Sequence, residues 1–139
     1  MSTVASRPTI VVADDEHDLR DALADMLTAH GFDVLAVATN GTEAVSLAAA
    51  LSPELVLIDY RMPELDGITA TDAIKSRNPD TQVVMFTAFD ETSLALEAMR
   101  AGVSTLLVKG CAPSMILRAL SGALDYRRRT ARRSAFGDH

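Results

Sequence analysis

Five short apolar runs, separated by segments with helical spacing, constrain the fold of this chain more than any other feature of its sequence. The runs are TIVVAD (9–14), DVLAVA (33–38), ELVLID (54–59), TQVVMFT (81–87) and STLLVK (104–109). Each is rich in Val, Ile or Leu, and its apolar residues are mostly continuous instead of alternating with polar ones. Strands that are covered by helices on both faces have this pattern.

The segments between the runs have the periodicity of amphipathic helices. Apolar residues between positions 19 and 27 recur at helical spacing, and Gly31 stands where such a helix usually ends. Asn40 and Glu43 form the sequence pattern of a capping box at the start of the second helix. Further helices are expected after Gly67, over about 91–101 and from Pro113. Five strand–helix units in succession predict an α/β fold with a five-stranded parallel sheet and helices on both faces.

The length and the composition favour one soluble domain. The chain has 139 residues, 48% of which are hydrophobic, and this is enough to form a buried core. No apolar run is long enough to cross a membrane, and the N-terminus lacks the pattern of a signal peptide. The single cysteine, Cys111, cannot form an internal disulfide. We therefore expect a cytoplasmic protein that does not interact with membranes.

The charge distribution separates an acidic body from a basic tail, and we expect a globular domain over residues 8–126 and a tail over 127–139. Residues 1–126 carry 8 basic and 18 acidic residues, a net charge of −10, so direct nucleic-acid binding by this chain is not expected. The tail is a basic helix end, a linker, or a segment that docks on an acidic partner or nucleic acid. Its five arginines are Arg127, Arg128, Arg129, Arg132 and Arg133.

Polar side chains stand at the carboxyl ends of the predicted strands. Asp14 ends the first run and Asp15 follows it, and Asp59 ends the third. Thr87 ends the fourth run and Lys109 ends the fifth. Ligands of open parallel α/β sheets bind beyond the carboxyl ends of the strands. We therefore expect these five side chains to gather at one edge of the sheet.

The residue types at this edge favour phosphoryl transfer onto a carboxylate. Three crowded carboxylates repel one another unless a cation joins them, and a small set of oxygen ligands favours Mg²⁺. Lys109 and Thr87 offer a positive charge and a hydroxyl donor to phosphoryl oxygens. No histidine, serine or cysteine stands among the strand ends to suggest an acyl-transfer triad.

The arrangement of these residues resembles the receiver domain of two-component response regulators. DD follows the first run, DYRMPELDG begins at Asp59, TA begins at Thr87, and a lysine ends the fifth run. Asp15, Asp59, Thr87 and Lys109 are separated by 44, 28 and 22 residues, and the likeness extends over about residues 8–126. The resemblance implies a flavodoxin-like receiver fold with strand order 2-1-3-4-5.

The resemblance also implies roles for individual residues. Asp59 would accept a phosphoryl group from a sensor histidine kinase or a phosphotransfer protein, and Thr87 and Lys109 would contact its oxygens. Arg61 and Phe89 follow Asp59 and Thr87 by two positions each, and they either tune the lifetime of the phosphate or are plain surface residues. Such a domain is a signalling switch and not an enzyme, apart from slow hydrolysis of its own phosphate.

The same resemblance implies a ligand set for Mg²⁺. Asp15 and Asp59 would bind the metal directly, together with the main-chain carbonyl of Arg61. Asp14 would act through water or hydrogen bonds.

Two positions depart from the family pattern. Leu106 stands three residues before the lysine, where family members usually carry Tyr or Phe whose burial reports phosphorylation. Gly110 follows the lysine, where a proline with a cis bond is common. The dipeptide KG is seen more often in the branch whose regulators end in a LuxR-like helix-turn-helix.

The expected output is protein–protein binding by a surface near the fourth helix, the fifth strand and the fifth helix. A phosphorylation-dependent homodimer is left open. The alternative is the receiver part of a LuxR-type DNA-binding transcriptional regulator. A small phosphatase is disfavoured because the Asp-x-Asp pattern is missing around Asp59, and a flavin-binding protein is disfavoured because no Ser/Thr/Gly phosphate loop follows the first run.

Overall fold

A five-stranded parallel sheet forms the centre of the protein in the computed structural model, which describes residues 7–137 except for the side chains of Phe89, Thr92 and residues 132–137. The strand order is β2-β1-β3-β4-β5, and every neighbouring pair of strands is parallel. This confirms the predicted fold class and strand order. The strands are β1 (Thr9–Ala13), β2 (Asp33–Ala38), β3 (Leu55–Asp59), β4 (Gln82–Thr87) and β5 (Val103–Val108).

Over residues 7–137, five α-helices connect and cover the strands. They are α1 (His17–Ala29), α2 (Gly41–Leu51), α3 (Gly67–Arg77), α4 (Ala95–Ala101) and α5 (Pro113–Gly137). The Asn40 side chain caps α2 by accepting a 2.7 Å hydrogen bond from the Glu43 amide, as the sequence predicts. The Glu43 carboxylate accepts a bond from the amide of Thr39, one residue before the position that a capping box uses.

The two faces of the sheet form separate apolar cores. Successive strand residues point to opposite faces, so Ile10 and Val12 pack with α1 and α5, while Val11 and Ala13 pack with α2, α3 and α4. All four of these strand residues are at most 1% exposed. Full burial of an aliphatic side chain stabilises the fold by about 1.5–3 kcal/mol before entropy is counted. This two-sided burial explains why the apolar runs are continuous.

The edge strand β2 departs from the prediction that the runs are covered on both faces. Leu35 and Val37 are 36% and 38% exposed, and exposure alternates along this strand. An edge strand has one neighbour only, and the helices that cover the central strands reach over it less completely. The prediction was therefore wrong for β2, although the strand itself lies where the sequence places it.

Helix α4 is shorter than the predicted helix over 91–101. A 3₁₀ segment, Phe89–Leu94, occupies the first part of that range, and the α-helix begins at Ala95. Short 3₁₀ segments of this kind are frequent at the N-termini of α-helices.

Helix α5 continues past residue 126, where the sequence analysis begins the basic tail. Arg127 Nη1 lies 3.2 Å from Glu54 Oε2, and Arg127 Nε donates to the carbonyl of Asp80 at 3.0 Å. Arg128 Nη2 lies 3.6 Å from the same Glu54 oxygen. The first two tail arginines therefore hold α5 against the body, and the side chains of Arg132 and Arg133 lie outside the described ones. Within the described residues, no helix combines the length and the hydropathy that a membrane span requires.

Candidate functional site

The carboxyl edge of the sheet brings together four of the five predicted side chains, those of Asp14, Asp15, Asp59 and Lys109. One carboxylate oxygen from each of Asp14, Asp15 and Asp59 lies within 4.8 Å of the others. Lys109 Nζ lies 2.9 Å from Asp59 Oδ2. The Lys109 amide also donates to the carbonyl of Thr87 at 2.8 Å, which extends the β4–β5 ladder and fixes the lysine at this edge.

Asp14 is buried and incompletely hydrogen-bonded. It is 1% exposed, and its Oδ1 accepts a 2.8 Å bond from the amide of Glu16. Its Oδ2 has no hydrogen-bond partner among the described residues and lies 3.6 Å from Lys109 Nζ. Burial raises the pKa of the Asp14 carboxyl, while the bond from Glu16 and the charge of Lys109 oppose this rise.

Asp59 is the buried acid at the centre of the site, with 4% exposure. Desolvation raises its pKa from 3.8 to about 6, although the hydrogen bond from Lys109 lowers it. The charges of Asp14 and Asp15 add to the rise. The cluster therefore carries more negative charge than one lysine compensates.

Lys109 supplies the cation of the cluster. Burial alone lowers the pKa of its ammonium, but the hydrogen bond with Asp59 and the charges of Asp59, Asp14 and Glu16 outweigh that effect and raise the pKa. The side chain is therefore positively charged at neutral pH.

The chemistry of the acidic cluster fits a hard divalent cation. The three side chains offer only carboxylate oxygens as metal ligands, and the buried Asp14 Oδ2 accepts no hydrogen bond from any described residue. Asp15 is exposed and opens the cluster toward solvent, where it lines a cavity of about 320 Å³ together with Arg61. A cation at this position would offset the repulsion that raises the pKa of Asp59.

The loop after β3 is shaped by Gly67. Its amide donates to the carbonyl of Tyr60 at 2.7 Å, and a Cβ atom at this position would lie 2.6 Å from the main-chain oxygen of Asp59. The close approach of α3 to the end of β3 therefore requires a glycine. Asp66 caps α3 by accepting a 2.8 Å bond from the amide of Thr69.

Thr87 is fully buried, and its hydroxyl is directed to Glu91, a residue that the sequence patterns do not indicate. Thr87 Oγ1 donates to Glu91 Oε1 at 3.4 Å, and the other carboxylate oxygen of Glu91 forms an ion pair with Arg61 Nε. The only sequence feature that could have pointed to this contact is the position of Glu91, an acid four residues after Thr87. The sequence gives no sign that this acid is buried or that it reaches Arg61.

The structure shows the surroundings of Leu106 and the backbone conformation of Gly110, the two positions that depart from the family pattern. Leu106 is half-buried and packs against the core on the α2, α3 and α4 face. Gly110 has a φ of 91°, in the left-handed region that proline cannot adopt. The glycine after Lys109 therefore suits the backbone found here, where a proline would not.

Known proteins resemble this chain in both sequence and fold. Residues 10–121 match the family model of the response regulator receiver domain. The chemotaxis protein CheY of Bacillus subtilis is 35% identical over 116 residues, which are 84% of this chain and 97% of that protein. A LuxR-family two-component response regulator from Aurantimonas has a TM-score of 0.81 at 28% identity and covers 88% of each chain. A chain of the CheX–CheY–BeF₃–Mg²⁺ complex from Borrelia burgdorferi has a TM-score of 0.78 at 25% identity, covering 83% of this chain and 87% of that one.

Proposed function

Because the chain belongs to the receiver domain family of two-component response regulators, we propose that Asp59 is its phosphorylation site and that phosphorylation controls the binding of a partner protein. The observation that carries this proposal is the position of the Asp59 carboxylate. It is buried at the end of β3, 2.9 Å from the Lys109 ammonium and beside two further acids.

The reaction is the transfer of a phosphoryl group to an oxygen of the Asp59 carboxylate. The new O–P bond forms as the bond between phosphorus and the donor's nitrogen or oxygen breaks, and the electron pair leaves with the donor. The Lys109 ammonium is placed to neutralise charge on the phosphoryl oxygens, and Thr87 offers a hydroxyl donor after it turns from Glu91. Attack of water on phosphorus later restores the carboxylate and releases inorganic phosphate.

The acidic cluster is assigned to Mg²⁺. Asp15 and Asp59 would hold the ion directly with the main-chain carbonyl of Arg61, and Asp14 would act through water or hydrogen bonds. The oxygen-only donor set and the unpartnered Asp14 Oδ2 support this assignment. When bound, the ion offsets the repulsion between the carboxylate and the incoming phosphoryl group.

The donor is a sensor histidine kinase or a phosphotransfer protein, and the output is a protein surface near α4, β5 and α5. Leu96 and Met99 on α4 and Met115 on α5 are 62%, 48% and 52% exposed, so apolar side chains are available for a partner there. To shift this surface from an almost entirely inactive to an almost entirely active conformation, the phosphoryl group must favour the active one by about 5 kcal/mol. The similarity to the chemotaxis protein CheY of Bacillus subtilis supports this role.

The test is incubation of the wild type and Asp59→Asn with acetyl phosphate and Mg²⁺, followed by intact mass measurement. The proposal predicts a gain of one phosphoryl group on the wild type and none on the variant. Equal labelling of both proteins would show that Asp59 is not the acceptor.

A further inference from the structure

Glu91 connects Thr87 to Arg61 beside the proposed phosphorylation site. The Glu91 side chain is 9% exposed although it lies in the 3₁₀ segment at the protein surface. Its Oε1 accepts bonds from Thr87 Oγ1 at 3.4 Å and from the Ala88 amide at 3.3 Å. Its Oε2 forms an ion pair with Arg61 Nε. We call this arrangement of Thr87, Glu91 and Arg61 the Glu91 bridge.

We propose that Glu91 is a positioning residue that opposes phosphorylation: it holds the Thr87 hydroxyl away from Asp59 until a phosphoryl group competes for it. This inference rests on the proposed function of Asp59. It adds Glu91 to the residues that control the conformational switch. The sign of its contribution is also defined, because the Glu91 bridge stabilises the unphosphorylated state.

The competition follows from the single proton of the Thr87 hydroxyl and from the exposure of the Arg61 side chain. The Thr87 hydroxyl has one proton, which it donates either to Glu91 or to a phosphoryl oxygen, but not to both. Arg61 lies two residues after Asp59 and is 75% exposed, so its guanidinium can turn toward a new anion at Asp59. A phosphoryl group therefore draws both donors from Glu91.

The loss of these donors explains how the signal reaches the surface. A buried carboxylate that keeps only the Ala88 amide as donor is unfavourable, so Glu91 must move into water. Glu91 lies within the segment Phe89–Leu94, which leads directly into α4. Release of Glu91 therefore displaces the start of α4, the helix that carries the exposed side chains of Leu96 and Met99. This coupling does not require an aromatic residue at position 106.

The probe is beryllofluoride, a tetrahedral mimic of a phosphoryl group, titrated with Mg²⁺ into the wild type, Glu91→Gln and Glu91→Asp, with amide NMR shifts as the readout. Glu91→Gln removes the charge that binds Arg61, and Glu91→Asp keeps the charge but shortens its reach. Both are expected to lower the half-saturating concentration, by about tenfold for Glu91→Gln if one charge-assisted hydrogen bond is lost from the free state. Both are also expected to lower the thermal midpoint of the free, metal-free protein.

The opposite signs of these two effects separate positioning from simple structural support. A supporting residue would weaken both stability and binding when changed, and that result would overturn the inference. Asp90→Asn is the matched control, because Asp90 is an exposed acid in the same segment and lies outside the bridge. An equal gain in Asp90→Asn, or an unchanged affinity in Glu91→Asp, would assign the effect to net charge and would also overturn it.

Failure of the two proposals gives different results. If the wild type does not bind beryllofluoride and gains no phosphoryl group, the assignment of Asp59 fails and the Glu91 bridge fails with it. If the wild type binds normally but both Glu91 variants match it, only the inference about Glu91 is wrong. If Glu91→Gln does not fold, Glu91→Asp decides the question by the same two measurements.

Discussion

The ammonium nitrogen of Lys109 lies 2.9 Å from Oδ2 of Asp59, although 50 residues separate the two along the chain. Asp59 ends β3 and Lys109 follows β5, and β4 lies between these two strands in the sheet. The two side chains therefore meet across the end of β4. The parallel register pairs Asp59 with Phe86 and Thr87 with Val108, which brings the three strand ends level. The contact is thus a product of the sheet topology and not of local sequence.

Replacing Lys109 by Met should slow phosphorylation of Asp59 by acetyl phosphate about 100-fold, the scale typical of losing one preorganised donor to a transferring group. The reason is that the ammonium no longer neutralises charge on the phosphoryl oxygens. Intact mass measured against time gives the rate. Arg118→Met, which removes an exposed cation from α5, is the control and should label like the wild type. Equal rates for Lys109→Met and the control would remove Lys109 from the mechanism.

The metal-free protein should lose stability as the pH rises through the titration of Asp59. Desolvation raises the folded-state pKa from 3.8 to about 6, so the folded protein binds more protons than the unfolded chain between these values. The stabilising contribution of the protonated group is complete below the unfolded pKa and is lost as the pH rises through the folded pKa. The loss is up to about 3 kcal/mol.

Asp59→Asn isolates this contribution because the amide does not titrate. In a chelator-containing buffer, urea unfolding should show the variant more stable than the wild type near pH 7.5, and the difference should shrink toward pH 5. A difference that does not change with pH would mean that Asp59 ionises normally in the folded protein.

Magnesium should stabilise the wild type in proportion to the logarithm of its concentration once the site is nearly saturated. Asp15→Asn should remove most of this gain while changing the metal-free midpoint little, because Asp15 is exposed. Thermal unfolding across a Mg²⁺ series is the measurement. Asp25→Asn, an exposed acid farther along α1, should respond to Mg²⁺ as the wild type does. A full response in Asp15→Asn would exclude that carboxylate as a ligand.

Gly67→Ala should destabilise the fold by about 1–3 kcal/mol, the usual range for overpacking. The added Cβ atom would lie 2.6 Å from the Asp59 carbonyl oxygen and 2.9 Å from Tyr60 Cα, both of which are main-chain atoms. Gly122→Ala is the control, since a Cβ there meets nothing within 4 Å and alanine favours the helix α5. Urea unfolding should therefore show opposite signs for the two substitutions, and a neutral Gly67→Ala would mean that the loop relaxes freely.

The sequence predicted the parallel sheet because strong local signals encode its strands and helices, whereas the order of the strands came from the resemblance to the receiver family. The central strands are apolar on both faces, and only burial between two helical layers explains a run such as Leu55 to Ile58. The exposure of Leu35 and Val37 was missed because an apolar run does not report that its strand lies at an edge.

The sequence also indicated which residues meet at the site, since all of them lie at the carboxyl ends of their strands. Asp59 is the last residue of β3, Asp14 and Asp15 follow β1, and Lys109 follows β5. It did not indicate the bond between Thr87 and Glu91. The burial of Glu91 depends on a 3₁₀ segment where the periodicity predicts α-helix, and on Arg61, which lies in a different loop. Contacts between loops depend on the finished fold, and local pattern does not contain them.

The position of the phosphoryl group tests the central claim most directly. After acetyl phosphate and Mg²⁺ treatment, borohydride reduces an aspartyl phosphate to homoserine, and peptide mass spectrometry locates the converted residue. Conversion at Asp59 alone is the predicted result. Conversion at Asp14 or Asp15 would contradict the account. A protein that has gained a phosphoryl group but contains no converted aspartate would contradict it as well.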